Sequence, residues 1–314
     1  MLELSMDFFN KIHAKDFHYY TKSAASLTDK ELRPISKKDF DNFIEYSEQR
    51  LIDAYSRMDM PNQPWASHTK EEVEFFTRYI PNDKNAVIFD IGCGTARHLA
   101  ELKKIGFNNV YGFDFSDHLL QKAKELHPEL DGHLFKKDAR TLKHLKKADV
   151  IFCLYDVIGS FPLEKENLKI IKAARRNLKR GGIFICSVMN MELTENICKN
   201  RFDIYEDPKK LFRLKSSQTM QKTGNIFNPD AFVIDEKSKL VYRKEVFKGD
   251  GFLDSEYIIR DKRYTMPEIV GALKKQGFVI LESRYVRAGK FDQPLRGTDL
   301  TAKEILVIAK KAAI

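Results

Sequence analysis

Between residues 86 and 190, short apolar runs alternate with segments whose apolar positions recur at helical spacing. We predict strands for the runs that begin at Val87, Val110, Leu134, Asp149 and Ile183, with helical segments between them. This alternation is typical of α/β proteins, in which right-handed crossovers join parallel strands. The predicted fold class is therefore a doubly wound, mostly parallel sheet, which binds ligands at the carboxyl ends of its strands.

The pattern changes on both sides of this core. Residues 191–263 are predicted to form an antiparallel β insertion over the ligand crevice, with a hairpin turn at 248–251. Residues 264–314 are predicted to return to the core with a helix capped by Thr265 and two strands, which gives seven strands in all. Residues 1–85 are predicted to form a helical N-terminal arm, and the apolar residues suited to one face of it are Phe40, Phe43, Ile44, Leu51 and Ile52. Near its end, Thr69 and Glu72 are predicted to form a capping box for a helix from Lys70 to Tyr79.

The first predicted strand leads directly into a glycine turn with the sequence Asp-Ile-Gly-Cys-Gly-Thr-Ala-Arg. Gly92 and Gly94 let the backbone approach a ligand closely, and the helix that follows begins with free N–H groups. A dinucleotide fingerprint needs a third small residue at the sixth place of G-x-G-x-x-G, and Arg97 occupies that place. The turn therefore predicts a cofactor site of another kind.

Four acidic residues lie at or just after predicted strand ends, and they are Asp90, Asp114, Asp138 and Asp156. Because the carboxyl ends of parallel strands meet at one edge of the sheet, these side chains are expected to share the rim of the crevice. A single aspartate in such a place is more often a helix cap, but four in series after a glycine turn indicate a ligand site. Asp114, at the end of the second strand, is suited to accept hydrogen bonds from both hydroxyls of a ribose. Ser116 is predicted to cap the helix that follows.

The order of these motifs resembles class I S-adenosylmethionine-dependent methyltransferases, in particular the small-molecule branch related to glycine N-methyltransferase. The resemblance covers residues 86–190 and 264–310, and this chain has Ala96 where the family often has a third glycine. It implies S-adenosyl-L-methionine as the cofactor and S-adenosyl-L-homocysteine as the product. The residues that carry it are Asp90, Gly92, Gly94 and Asp114, with the Asp138-Ala139 pair after the third strand.

The resemblance also implies roles for single residues. Asp156 is the leading candidate for a general base because the end of the fourth strand faces the methyl group; helix capping or substrate orientation is its alternative role. Tyr155 and His68 are weaker candidates. Tyr20 and Trp65 of the arm are expected to line the pocket, or else to anchor the arm on the sheet. The other residues expected to bind the cofactor are Asp90, Gly92, Cys93, Gly94, Arg97, Asp114, Phe115, Asp138, Ala139 and Leu154.

The expected methyl acceptor is a nitrogen or oxygen of a small molecule. Residues 154–161 lack the Asn/Asp-Pro-Pro-Tyr sequence that DNA and glutamine amino-methyltransferases of this fold carry after the fourth strand. Two alternatives stay open. One is an RNA base methyltransferase similar to guanine-N7 cap enzymes, and the other is a protein that binds the cofactor and regulates a partner without catalysis.

Charge bears on the choice between a small molecule and a nucleic acid. The net charge is +9, and the densest basic runs are residues 136–147 and 172–180. A solvated face explains each run, and in the second run cations also complement the dipole of a helix that ends there. A phosphate-binding surface is the alternative explanation.

Composition favours an intracellular enzyme. The longest apolar runs are too short to span a bilayer, and the start of the chain does not resemble a signal peptide. The four cysteines have no C-x-x-C spacing, so reduced thiols and a cytoplasmic location are expected. No metal site is predicted.

Overall fold

The computed structural model describes residues 37–38, 40–42, 44–45, 47, 58–198, 217–222, 226–228, 232–235, 237–247, 255–287 and 290–312. The chain divides into two compact units. One draws on Met1–Met58 and Phe202–Ile259, and the other comprises Asp59–Arg201 and Arg260–Ile314. The larger second unit contains the sheet that the sequence predicts.

Eight strands form the main sheet, in the order β10-β9-β11-β5-β4-β1-β2-β3. The parallel part, whose neighbouring strands all pair in parallel, consists of β1 (Ile88–Ile91), β2 (Val110–Asp114), β3 (Leu134–Lys136), β4 (Ala148–Cys153) and β5 (Leu178–Met189). The antiparallel part consists of β9 (Phe278–Arg287), β10 (Lys290–Leu295) and β11 (Glu304–Lys311). Strand β11 lies between β5 and β9, so Glu304 at its start lies at the carboxyl edge of the parallel strands, opposite Met189.

Helices cover both faces of this sheet. The helices of the second unit are α1 (Thr69–Phe76), α2 (Arg97–Lys104), α3 (Asp117–Leu126), α4 (Glu164–Asn177), α5 (Met191–Cys198) and α7 (Met266–Lys275). Residues of α1, α2 and α3 share one apolar cluster, and residues of α4 and α7 share another. The strands between them are almost fully buried, which explains why β1 and β4 are mostly apolar, each with a single aspartate. The predicted doubly wound fold class is confirmed.

Local sequence signals set two of the helix starts. Ser116 caps α3, since its side chain accepts a hydrogen bond from the backbone N–H of Leu119 at 3.2 Å. Thr265 and Glu268 form a capping box at the start of α7, where Pro267 occupies the first turn. Both caps agree with the sequence prediction.

The smaller unit contains most of a three-stranded sheet in the order β6-β7-β8, formed by β6 (Phe232–Ile234), β7 (Val241–Phe247) and β8 (Ser255–Asp261). Strands β6 and β7 are antiparallel, as predicted for the insertion, and a short helix, α6 (Thr219–Lys222), precedes them. The described residues between 37 and 47 are helical, with Phe40 and Ile44 buried. Phe43, Leu51, Ile52 and the predicted turn at 248–251 lie outside the described residues.

The structure differs from the sequence prediction in two details. Strand β10 is an eighth strand that the sequence did not predict. The interpretation of Thr69 and Glu72 as a capping box for the helix up to Tyr79 is wrong: α1 begins at Thr69 itself without a side-chain cap, and Glu72 is buried in contacts with other elements. No helix in the described part of the chain is long and apolar enough to cross a membrane.

Candidate active site

The glycine turn between β1 and α2 requires left-handed backbone at three positions. Gly92 and Gly94 have φ angles of 76° and 54°, and Ala96 has a φ angle of 60°. A Cβ atom on Gly92 would lie 2.2 Å from Cγ2 of Val157, so this position also lacks room for a side chain. The left-handed angle at Ala96 gives a physical reason for the glycine that the family often has there, since alanine adopts this conformation at a cost of about 1 kcal/mol.

Asp114 fixes the shape of this turn from the end of β2. Its Oδ2 atom accepts a hydrogen bond from the backbone N–H of Gly94 at 2.8 Å, and its Oδ1 atom accepts one from the N–H of Ser116 at 2.9 Å. Burial raises the pKa of Asp114, and these backbone hydrogen bonds oppose that rise. A carboxylate has about four acceptor positions, so the group retains capacity for two hydroxyl donors. Phe115 follows with its side chain half exposed.

A buried group of polar side chains lies beside the turn. Glu72 of α1 accepts hydrogen bonds from Nη1 of Arg97 at 2.7 Å, from Nε2 of His98 at 2.8 Å and from the hydroxyl of Tyr155. Burial by itself raises the pKa of Glu72, but the hydrogen bond from His98 and the charge of Arg97 lower it to about 2. Burial and the charge of Arg97 lower the pKa of His98 to about 4. At neutral pH the group therefore holds a carboxylate, a guanidinium and a neutral imidazole.

Arg97 has one hydrogen-bond donor atom that this group does not use. Its Nη1 atom also donates to Oγ1 of Thr69 at 2.8 Å, and its guanidinium lies 4.8 Å from the centre of the Tyr155 ring. Its Nη2 atom is buried and has no hydrogen-bond partner among the described residues. A buried guanidinium N–H without an acceptor is costly, so this atom is suited to an anionic ligand at the first turn of α2.

The chain after β4 turns through two consecutive left-handed residues. Tyr155 and Asp156 have φ angles of 58° and 69°, an uncommon conformation for residues other than glycine. The backbone N–H of Tyr155 donates to Oγ of Ser187 at 2.9 Å, and that hydroxyl donates to Oε2 of Glu304 at 2.6 Å. Burial raises the pKa of Glu304 to about 7. Such strained backbone concentrates at functional sites, so this turn marks the part of the rim where chemistry is expected.

The remaining residues predicted for the site lie around these groups. Asp90 is buried at the end of β1, and burial raises its pKa to about 7. Trp65 packs on Tyr155 with ring centres 6.4 Å apart. His68 is half-buried in the turn before α1, and no hydrogen bond links it to Tyr155 or Asp156 in the described residues. Tyr20 lies outside the described residues.

Four predicted residues have other structural contacts. Cys93 and Leu154 are buried in the apolar cluster under the turn, where burial raises the pKa of the Cys93 thiol well above its usual range. The guanidinium of Arg140 donates to both carboxylate oxygens of Asp138, with the shortest contact from Nη2 to Oδ2 at 2.6 Å, and this hydrogen bonding lowers the pKa of Asp138. Ala139 follows it, partly buried against the second apolar cluster.

The sequence interpretation missed four polar residues of this site: Glu72, His98, Ser187 and Glu304. Each is buried, and burial of a charged or polar residue depends on partners that are distant in the sequence. One signal was present: His98 follows Arg97 in the first turn of a helix whose other inward positions are apolar, which indicates that its imidazole faces the core.

A family model described as a methyltransferase domain matches residues 82–248. Among curated proteins, a tRNA U34 carboxymethyltransferase of Pseudoalteromonas translucida (strain TAC 125) is 25% identical over 182 residues, which are 54% of this chain and 55% of that protein. A carboxy-S-adenosyl-L-methionine synthase of Campylobacter fetus subsp. fetus (strain 82-40) is 28% identical over 151 residues, 46% of this chain and 63% of that protein. The matched regions thus span less than two thirds of either relative.

Solved structures of the same fold include the CcbJ methyltransferase of Streptomyces caelestis, with a TM-score of 0.56, 15% identity and coverage of 78% of this chain and 90% of that chain. A second is an S-adenosylmethionine-dependent methyltransferase of Clostridium acetobutylicum ATCC 824, with a TM-score of 0.56, 18% identity and coverage of 84% of this chain and 99% of that chain. At these identities the similarity concerns the fold.

Proposed function

Because this chain belongs to the methyltransferase-domain family, we propose that it transfers a methyl group from S-adenosyl-L-methionine to a nitrogen or oxygen of a small molecule. The observation that carries the proposal is the glycine turn of Gly92 and Gly94, held by Asp114 and facing the strained turn at Tyr155 and Asp156. The turn leaves room for a ligand: a Cβ atom on Gly94 would meet only Cε of Met60, at 3.7 Å.

The side chains around the turn fit this cofactor. Asp114 would accept hydrogen bonds from the two ribose hydroxyls, since its orientation is already set by two backbone N–H groups. The Nη2 atom of Arg97 would bind the carboxylate of the methionine part, which supplies the acceptor that this buried atom lacks within the described residues. Phe115 and Ala139 would lie against the adenine ring, and Trp65 would close the side next to Tyr155.

When bound, the cofactor supplies a methyl group that is activated by its positive sulfonium centre. The protein then has to align an acceptor with that group and exclude water. We assign alignment to the turn after β4, where Ser187 and Glu304 hold the backbone of Tyr155. Burial and the neighbouring Glu72 keep the pKa of Tyr155 well above its usual range, so its phenol stays protonated and lines the site without a charge. Asp156 is the proposed base for an acceptor that arrives protonated.

The residues after β4 favour a small-molecule acceptor, because they lack the Pro-Pro pair of the DNA and glutamine amino-methyltransferases. The second candidate function is methylation of an RNA base, and its support is the curated relative that is named a tRNA carboxymethyltransferase. Three buried thiols, those of Cys93, Cys153 and Cys186, form no disulfide within the described residues and support the further proposal of a reducing, cytoplasmic location.

Calorimetric titration with S-adenosyl-L-methionine and S-adenosyl-L-homocysteine tests the cofactor, with NAD as the control. We expect micromolar binding of the first two alone. The Asp114→Ala variant should bind them more weakly by roughly 1 to 3 kcal/mol, the range for a lost hydrogen bond to a charged group. Unchanged affinity in this variant would remove Asp114 from the site.

A labelled methyl group on the cofactor identifies the acceptor class. The protein is incubated with a metabolite fraction and, separately, with an RNA fraction, and the label transferred to each is counted. We expect label in the metabolites, and Asp156→Asn should slow the transfer while leaving cofactor affinity unchanged. Label in RNA alone would replace the small-molecule proposal, and cofactor binding without any transfer would favour a regulatory protein.

A further inference from the structure

The amino ends of the parallel strands lie opposite the candidate active site, and part of this edge of the main sheet is strongly basic. Here β4 and β5 begin, β11 ends, and α4 and α7 reach their last turns. The cations at this edge, called the basic edge below, are Lys147, Arg175, Arg176, Lys179, Arg180, Lys274, Lys275, Lys310 and Lys311.

The contacts show that several of these cations lie close together. Lys147 donates from Nζ to the carbonyl of Arg176 at 2.8 Å, and Lys311 donates to the carbonyl of Leu178 at 2.7 Å. A Cβ atom on Gly181 would lie 3.5 Å from Cε of Lys310, so the Lys310 side chain lies beside the residue that follows Arg180. Burial lowers the pKa of Lys311, and the charges of Arg175, Lys147 and Arg180 lower it further.

Some cations of the basic edge stabilise neighbouring elements of the fold. Cations in the last turns of α4 and α7 complement the helix dipoles, and Lys147 and Lys311 satisfy carbonyl groups at the end of α4. Lys179 pairs with Asp149 at 2.8 Å. Arg180 and Lys310 have neither role: both side chains are exposed on strands, and neither side chain forms a hydrogen bond or ion pair in the part of the chain that the structure describes.

Within the described residues, Lys179 is the only cation of the basic edge that has an acidic partner. Uncompensated like charges repel each other, so a surface of this kind is stabilised by an anionic partner. The charges lie on the adjacent strands β5 and β11, about 4.8 Å apart, on the residue before β4 and on two helix ends, instead of converging on one pocket. This arrangement suits a partner that carries regularly repeated charges.

We propose that the basic edge binds the phosphodiester backbone of a nucleic acid. Arginine and lysine side chains supply such contacts without reading the base sequence. An anionic membrane is the less suitable partner, because the exposed apolar residues here, Leu145 before β4 and Val279 opposite Lys310 on β9, are two side chains on a loop and a strand. Binding at a membrane surface typically uses the whole apolar face of an amphipathic helix. Strand β4 separates this edge from the candidate active site by about 20 Å for its six residues, so binding here does not require the bound nucleic acid to be methylated.

The test compares the wild-type protein with Arg180→Glu/Lys310→Glu, two exposed positions outside the cofactor site. The control Lys124→Glu/Lys165→Glu changes the net charge equally at exposed positions elsewhere. Fluorescence anisotropy measures the binding of an RNA and of a DNA of the same sequence over a range of salt concentrations. We expect log K to fall with log salt by about 0.7 for each single-strand phosphate contacted, and the first variant to bind at least tenfold more weakly than the control.

Each outcome bears on the proposal. Preferential RNA or DNA binding identifies the kind of nucleic acid. Equal weakening in both variants would assign the effect to net charge and overturn the proposal, as would a wild-type protein that binds anionic phosphatidylglycerol vesicles and neither nucleic acid. Calorimetry with S-adenosyl-L-methionine should give the same affinity for all three proteins, so loss of nucleic-acid binding is distinguished from failure of the proposed enzyme function.

Discussion

At the scale of single residues, the candidate site depends on backbone conformations that most side chains avoid. Gly92, Gly94 and Ala96 shape the turn after β1, and Tyr155 and Asp156 shape the turn after β4. Two causes act at Gly92, namely a positive φ angle and the nearby side chain of Val157. Substitution separates the two causes, because Gly132 also has a positive φ angle, 74°, but no atom within 4 Å of an added Cβ.

Gly92→Ala should therefore lower the free energy of unfolding more than Gly132→Ala. Both variants carry the cost of left-handed backbone, about 1 to 2 kcal/mol, and only the first adds the clash with Val157, about 1 to 3 kcal/mol more. Urea denaturation measures both values, and calorimetry should show weakened cofactor binding for Gly92→Ala alone. Equal losses of stability in the two variants would mean that Val157 moves aside at no cost.

The glycines and Asp114 could be predicted from the sequence because a turn that approaches a ligand admits few residue types. Glu72 could not be predicted in its actual role. Its position three residues after Thr69 favoured a local capping box, whereas its partners Arg97 and Tyr155 are brought to it by the tertiary fold. Contacts between distant segments leave no spacing in the sequence to detect.

At the scale of elements, the carboxylate of Glu72 joins α1 to Arg97 and His98 after the glycine turn and to Tyr155 after β4, and Thr69 adds one hydrogen bond from Arg97. Its side chain is fully buried, and the pair that it forms with Arg97 is largely shielded from solvent. Removing one partner of a buried ion pair leaves the other charge uncompensated, which is costly. The position of Arg97 next to the glycine turn thus depends on a helix outside the parallel core.

Glu72→Gln should lower the free energy of unfolding by about 3 kcal/mol, within the range for a broken buried pair. It should also weaken S-adenosyl-L-methionine binding, because Arg97 loses the partner that orients it. Glu74→Gln is the matched control on the same helix, since Glu74 is exposed and only loosely paired with Lys70 at 3.9 Å. Urea denaturation and calorimetry on both variants provide the comparison, and a Glu72→Gln protein as stable as the control would contradict the proposed coupling.

Most strands of the main sheet could be predicted because buried parallel strands are continuous apolar runs. The exception, β10, is an edge strand with the sequence Lys-Phe-Asp-Gln-Pro-Leu. Its polar residues and its proline are typical of an edge strand and equally typical of a loop, so the sequence does not distinguish the two. The antiparallel pairing with β9 therefore became apparent only in the structure.

At the scale of the whole molecule, buried ionisable groups make stability depend on pH in opposite directions. Burial raises the pKa of Asp90 and of Glu304 to about 7, so each contributes stability below its unfolded pKa that is lost as the pH rises through about 7. The lowered pKa of His98 acts in the other direction, since its contribution is present above 6.5 and is lost as the pH falls through about 4.

Glu304→Gln isolates one of these contributions. The amide keeps a hydrogen-bond acceptor for Ser187 and cannot ionise, so the variant should not suffer the loss of stability that wild type shows between pH 5 and 8. We expect the difference in free energy of unfolding, variant minus wild type, to increase by roughly 1 to 3 kcal/mol over this range. Urea denaturation at several pH values measures it, with the exposed Glu71→Gln as control; a constant difference would place the pKa of Glu304 near its ordinary value.

The position of β11 between β5 and β9 also determines the order in which the sheet is completed. Both neighbours precede β11 in the chain, so during synthesis β5 has an unpaired edge until residues 304–311 are available. An unpaired apolar edge is a site of aggregation, and contacts between segments this far apart form slowly. Newly made chains are therefore expected to need protection at the edge of β5, and the yield of folded protein should respond more to chaperones than to the strength of the finished core.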